Sequence, residues 1–103
     1  MIRQEHNGIL RVLGKRWTLP ILSSMGGREI VRFGELKRSL AGISSTTLSE
    51  RLQQLEREGL VAKKIYGSVP PRVEYSLTAS AKELGAIMGE IGSWHARWRS
   101  THP

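Results

Sequence analysis

The chain contains no cysteine and no aspartate. Without thiols there is no disulfide, no cysteine-ligated zinc, no thiol nucleophile and no thiol redox switch. All nine acidic residues are glutamates. No glycine-rich phosphate loop follows a strand, and no His–Glu pair has zinc spacing. The three histidines, His6, His95 and His102, sit at the two chain ends, and His95, between Trp94 and Trp98, reads as an interface residue. No catalysis, metal or cofactor is expected. Long apolar runs are also missing. None approaches the roughly 18 residues of a spanning helix, and the first residues alternate polar and charged side chains with no signal-peptide core. The expected compartment is the cytoplasm, and no membrane partner is expected.

What is present fits one small globular domain of 103 residues, 39% hydrophobic and 24% charged. The formal charge is +7, and it is uneven. Residues 1–72 carry thirteen basic and six acidic side chains, whereas residues 73–103 carry three of each. A basic body joined to a neutral tail points to a polyanionic partner for the body and another role for the tail.

The most informative stretch is residues 42–61. Leu48, Leu52 and Leu55 recur at spacings of four and three, the mark of one helix face. Ser44 reads as the N-cap, and Gly59 stands where a helix-ending glycine belongs. Ser45, Thr46 and Thr47 fill the first turn although they are middling helix formers. Short hydroxyl side chains leave that end slim and rich in hydrogen-bonding groups, which suits insertion into a DNA major groove, with Arg51 a turn further on. A plain capped surface helix would show the same leucine spacing.

Upstream, Ile9, Leu10, Val12 and Leu13 predict a short amphipathic helix over 5–13 that packs outside its own core. Residues 17–25 predict another, with Trp17 as a core anchor, Pro20 in the first turn and Gly26-Gly27 as its end. Residues 28–33 read as an extended connection. Phe33, Leu36 and Leu40 face inward on a helix ended by Gly42. Two short helices joined by a tight glycine turn make a helix-turn-helix, an arrangement also common in proteins that never touch DNA.

After Gly59 the period changes from helical to alternating. Residues 61–66 and 72–77 read as two strands. Gly67-Ser68-Val69-Pro70-Pro71 between them is too long and stiff for a two-residue turn. Lys63, Lys64 and Arg72 ring this loop with charge, as a contact to phosphates or a minor groove requires; an ordinary solvated hairpin is the alternative. Thr78 then caps a last helix running from Ala79 to about Ser100. Its stripe of Leu84, Ile87, Met88, Ile91, Trp94 and Trp98 is too long for a small domain to cover, so a homodimer through this helix and the 5–13 helix is expected.

Together these segments resemble one family, the HxlR-type winged helix-turn-helix regulators related to the MarR group. The resemblance rests on Leu13-Gly14-Lys15-Arg16-Trp17-Thr18-Leu19, Arg32-Phe33-Gly34-Glu35-Leu36, the 40–44 and 48–61 stretches, and above all Val69-Pro70-Pro71-Arg72-Val73-Glu74-Tyr75. It implies a dimeric transcription factor, with helix 45–58 in the major groove and wing 67–72 alongside. Members commonly carry a sensing cysteine near the N-terminus. The region around Gln4 has none, so thiol sensing does not carry over. Ala81 also departs from a frequent family glycine.

The reading is an α+β, mostly α, winged helix-turn-helix in a single domain with a two-stranded wing and a long C-terminal dimerisation helix. Its expected partners are a second copy and a pseudo-palindromic double-stranded operator. Ser45, Thr46, Thr47 and Arg51 are expected at bases or adjacent phosphates, Lys63, Lys64 and Arg72 at the wing contact, and Lys37 and Arg38 at the backbone. Ile9, Leu10, Leu84, Ile87, Met88, Ile91, Trp94 and Trp98 are expected in the dimer interface. A small-molecule effector pocket near Trp17, Trp94 and Trp98 is a further expectation. The rival is a winged-helix protein-interaction module without specific DNA binding.

Overall fold

A computed structural model describes residues 4–101, with side chains described from Gly8 onward. His102 therefore lies outside the described residues, as does the side chain of His6. The elements run α1 (Gln4–Leu13), α2 (Thr18–Met25), α3 (Phe33–Ser39), α4 (Ser45–Arg57), β1 (Val61–Tyr66), β2 (Arg72–Leu77) and α5 (Ala79–Thr101).

The core forms where the apolar stripes of α2, α3 and α4 meet the inner face of the hairpin. Ile21, Met25, Leu36, Leu48, Leu52 and Leu55 are almost completely buried. Burial of such side chains is worth about 1.5–3 kcal/mol each, the main force holding the helix trio together. Turn chemistry sets the angles between them. Gly42 lies at φ +92° between α3 and α4, and Gly59 at φ +77° after α4, a region that a Cβ disfavours. Ile43, next to Gly42, drops into the core.

β1 and β2 pair antiparallel, with Val61 opposite Leu77 and Tyr66 opposite Arg72. Their bounds coincide with the alternation of the sequence. The 28–33 connection contributes more than expected: Val31 exchanges both backbone hydrogen bonds with Tyr75, each 2.8 Å, and so adds a one-residue bridge to the sheet. Alternation cannot reveal a pairing that short.

Trp17 also differs from expectation. It is the residue before α2, at φ 80°, the left-handed region that non-glycine residues rarely adopt. It lies outside the helix, yet it is half-buried and packs against the core, as expected of an anchor. Thr78 joins the two halves of the molecule. Its hydroxyl donates to the Gly59 carbonyl at 2.6 Å and accepts the Ala81 N–H at 3.2 Å, pinning the end of the α4 turn to the start of α5. Ala81 and Leu84, in the first turns of α5, still pack on the core, whereas Ile87, Ile91, Trp94 and Trp98 further along are exposed; the molecule measures 57 × 30 × 26 Å.

Candidate nucleic-acid interface

The N-terminus of α4 is organised by Ser44. Its hydroxyl oxygen accepts the Thr47 N–H at 3.0 Å and its hydroxyl hydrogen is donated to Thr47 Oγ1 at 3.0 Å. Thr47 is thus half-buried and committed to the cap, while Ser45 and Thr46 are exposed. At about 100° per residue, the direction opposite Leu48, Leu52 and Leu55 belongs to Thr46, Glu50, Gln53 and Arg57, with Ser49 beside them. All five are exposed. Ser49, Gln53 and Arg57 lie beyond the first turn expected to contact DNA, and the leucine spacing that names the buried face also names this opposite one.

Arg51 is placed differently from the expectation. Its side chain is only 17% exposed and turns back along α4. Nε donates to the Arg16 carbonyl at 3.1 Å and Nη1 to Gln54 Oε1 at 3.4 Å. That bond also shows that Lys15-Arg16, in the corner between α1 and α2, lies beside α4. Nothing in the sequence signals this neighbour, which is 35 positions away from Arg51.

On the α3 side, Lys37 Nζ donates to the Ile43 carbonyl at 3.4 Å, so the ammonium sits at the turn between the two helices. Arg38 is exposed, its guanidinium lying over Gly34, where a Cβ would be 3.3 Å away. Glu35 caps α3 by accepting the Arg32 N–H at 2.9 Å and pairs with Arg28 at 2.9 Å. The backbone bond first, and the Arg28 guanidinium after it, hold its carboxyl below the usual 4.5.

The wing divides its cations between two faces. Lys64, Tyr66, Arg72 and Glu74 share one face by strand alternation and register. There the Arg72 guanidinium lies 4.6 Å and the Lys64 ammonium 5.2 Å from the Tyr66 ring centre, and Glu74 steadies Arg72 Nε at 3.5 Å. Lys63 points to the other face, where it lines a shallow groove with Gln53, Glu56 and Arg57. Lys63 therefore extends the outer edge of α4, while Lys64 and Arg72 form a separate ridge. At the tip, Ser68 donates to the Pro70 carbonyl at 2.7 Å, and Val69 is fully exposed.

The expected interface residues also sort into two sets. Leu10, Ile87, Ile91, Trp94 and Trp98 are exposed. Ile9 and Leu84 pack instead on the chain's own core, because they lie on the inner sides of α1 and α5, and Met88 is half-buried. An apolar cavity of about 910 Å³ opens between α2 and the first half of α5, lined by Leu19, Leu22, Leu77, Leu84 and Met88 among others. None of the three tryptophans lines it, so it is not the pocket expected near Trp17, Trp94 and Trp98. Among the described residues no helix is long and apolar enough to cross a membrane, and no group of histidines and acids could hold a metal.

Comparison with known proteins gives this geometry a context. The profile of the HxlR-like helix-turn-helix family matches residues 12–103. YvaP, an uncharacterized HTH-type transcriptional regulator of Bacillus subtilis, is 41% identical over 88 residues, covering 84% of this chain and 80% of its own. An HTH-type transcriptional regulator of Halalkalibacterium halodurans is 42% identical over 85 residues, covering 82% of this chain and 75% of its own. Among solved structures, a MarR-family regulator of Porphyromonas gingivalis superposes with a TM-score of 0.77 at 38% identity, covering 93% of this chain and 95% of its own. YodB of B. subtilis, crystallised after diamide treatment, gives 0.79 at 28% identity, covering 95% and 96%. A winged fold with an exposed polar helix edge, matched along nearly its whole length by such proteins, is a transcriptional regulator of the helix-turn-helix class, and the chain belongs to the HxlR-like family.

Proposed function

We propose that the protein is a homodimer that recognises a specific double-stranded operator, with α4 in the major groove and the 67–72 wing on the adjacent minor groove or backbone. One observation carries the reading. α4 buries its leucines within its own chain, yet turns outward an edge of Thr46, Ser49, Glu50 and Gln53 bordered by Arg57 and Lys63. Hydroxyl and amide groups pair with base edges, and cations with phosphates. Ser45 and Thr46 reach bases or the nearest phosphates, joined by Gln53; Thr47 holds the cap from which they project. Lys37, Arg38, Lys63 and Lys64 meet the backbone. Arg72, stiffened by Tyr66 and Glu74, enters the minor groove, whose potential draws guanidinium groups.

The exposed apolar stripe of α5, together with Leu10, supports the homodimer, and two-fold symmetry then sets half-sites about one helical turn apart. The α2–α5 cavity is the place for an apolar effector. Binding of the duplex enriched from a random pool tests the assignment. Gln53→Ala should cost about 1–3 kcal/mol and relax the preference at one base pair. Lys64→Ala should weaken all sequences alike and reduce the salt slope by roughly one. Equal operator binding by wild type and Gln53→Ala would remove α4's outer edge from the reading surface.

A further inference from the structure

The Arg16 carbonyl lies just outside α2, where the helix has no donor for it. The residue four positions on is Pro20, which has no N–H. The backbone bonds at this corner run from Gly14 to Leu10, Lys15 to Val12, Thr18 to Lys15 and Ile21 to Trp17. Among the described residues none ends on Arg16. The donor comes instead from α4, through Arg51 Nε at 3.1 Å.

The corner that receives it is sharply defined. Trp17 is the one non-glycine residue at positive φ among those described, and the Arg16 guanidinium lies over its ring at 5.2 Å. At its other end the Arg51 fork reaches Gln54, a half-buried side chain at the margin of α4's outer face. Arg51 itself sits roughly 115° round the helix from the middle of that face. A guanidinium held this way is poorly placed to read a base. It is well placed to hold a helix, because its planar fork satisfies two acceptors at once.

We propose that Arg51 is a positioning residue: it seats α4 against the α1–α2 corner through the Arg16 carbonyl and orients Gln54, without itself contacting bases or phosphates. The DNA consequences rest on the function proposed above, whereas the tether can be tested without DNA.

The experiment compares wild type, Arg51→Ala and Arg51→Lys by thermal unfolding and by salt titration of binding to the duplex selected by wild type. Arg51→Ala should lower the unfolding midpoint by roughly 5–10 °C. A surface reader in a chain of +7 would instead leave it unchanged or raise it. Operator affinity should fall on the order of tenfold across the whole half-site, with an unaltered salt slope. Lysine keeps the charge but loses the fork, so it should recover less than half of either loss. An unchanged midpoint, a slope reduced by about one, or full rescue by lysine would each overturn the proposal. If Arg51→Ala does not fold, Arg51→Lys carries the same comparisons. If wild type selects no duplex, the function proposed above fails, and the unfolding midpoints still decide the tether.

Discussion

α4 and α5 are both amphipathic, and they end in opposite situations. α4 has 13 residues and buries Leu48, Leu52 and Leu55 within its own chain. α5 has 23 residues, and Ala81 is its one buried side chain, while Ile87, Ile91, Trp94 and Trp98 each remain about half exposed. One helix therefore covers its apolar side by folding, and the other leaves much of it open to solvent. The lesson is a division of labour. The helix whose apolar side is satisfied internally can turn a polar edge to a partner, and the helix whose apolar side is left outside is, on the function proposed above, the element of assembly.

That contrast breaks if both helices respond alike to substitution. The largest effect is expected for Leu52→Ala, which should cost about 2–5 kcal/mol through lost burial and a cavity, read from chemical denaturation. Ile91→Glu should cost the individual fold little but abolish dimerisation, so light scattering at micromolar concentration should report one chain in place of two. Should Ile91→Glu keep the mass of two chains, α5 would not be the assembly element. Ser44→Ala is expected to cost about 1 kcal/mol and to fray the first turn of α4, visible as faster amide exchange at Thr47.

The smallest effect belongs to Glu35. Its carboxyl is held below the ordinary value by the Arg32 N–H and then by Arg28. Its contribution is therefore present above pH 4.5 and lost as the pH falls through the lowered value. Glu35→Gln should slightly lower the unfolding midpoint at pH 7, and that difference should shrink as the pH falls below 4.5 and through the lowered value. A difference that persists in acid would mean that the capping geometry, and not the charge, stabilises α3.

The same contrast explains what the sequence makes legible. Elements defined by short-range pattern were readable: the leucine spacing and caps of α4, the strands 61–66 and 72–77, and the long stripe of α5. Features that depend on distant neighbours were not. Arg51 reads as a free cation in one dimension, because its partner is the Arg16 carbonyl far up the chain. Lys63 and Lys64 read as a pair, yet strand alternation sends them to different faces, one to the α4 groove and one to the Tyr66 ridge. Val31 joins the sheet through a single residue, and Trp17 leaves the helix because its backbone turns left-handed. Neither event has a periodic signature.

On the function proposed above, a dimer assembled through α5 presents two copies of α4 to one DNA sequence. Selection of bound duplexes from a random pool at near-physiological salt, followed by titration of the winner against scrambled DNA, tests it most directly. An inverted repeat with half-sites about one turn apart and a specificity ratio of at least ~10³ are the expected result. No enriched motif, with binding that disappears as salt rises, would contradict it and leave the positive charge as a generic attraction.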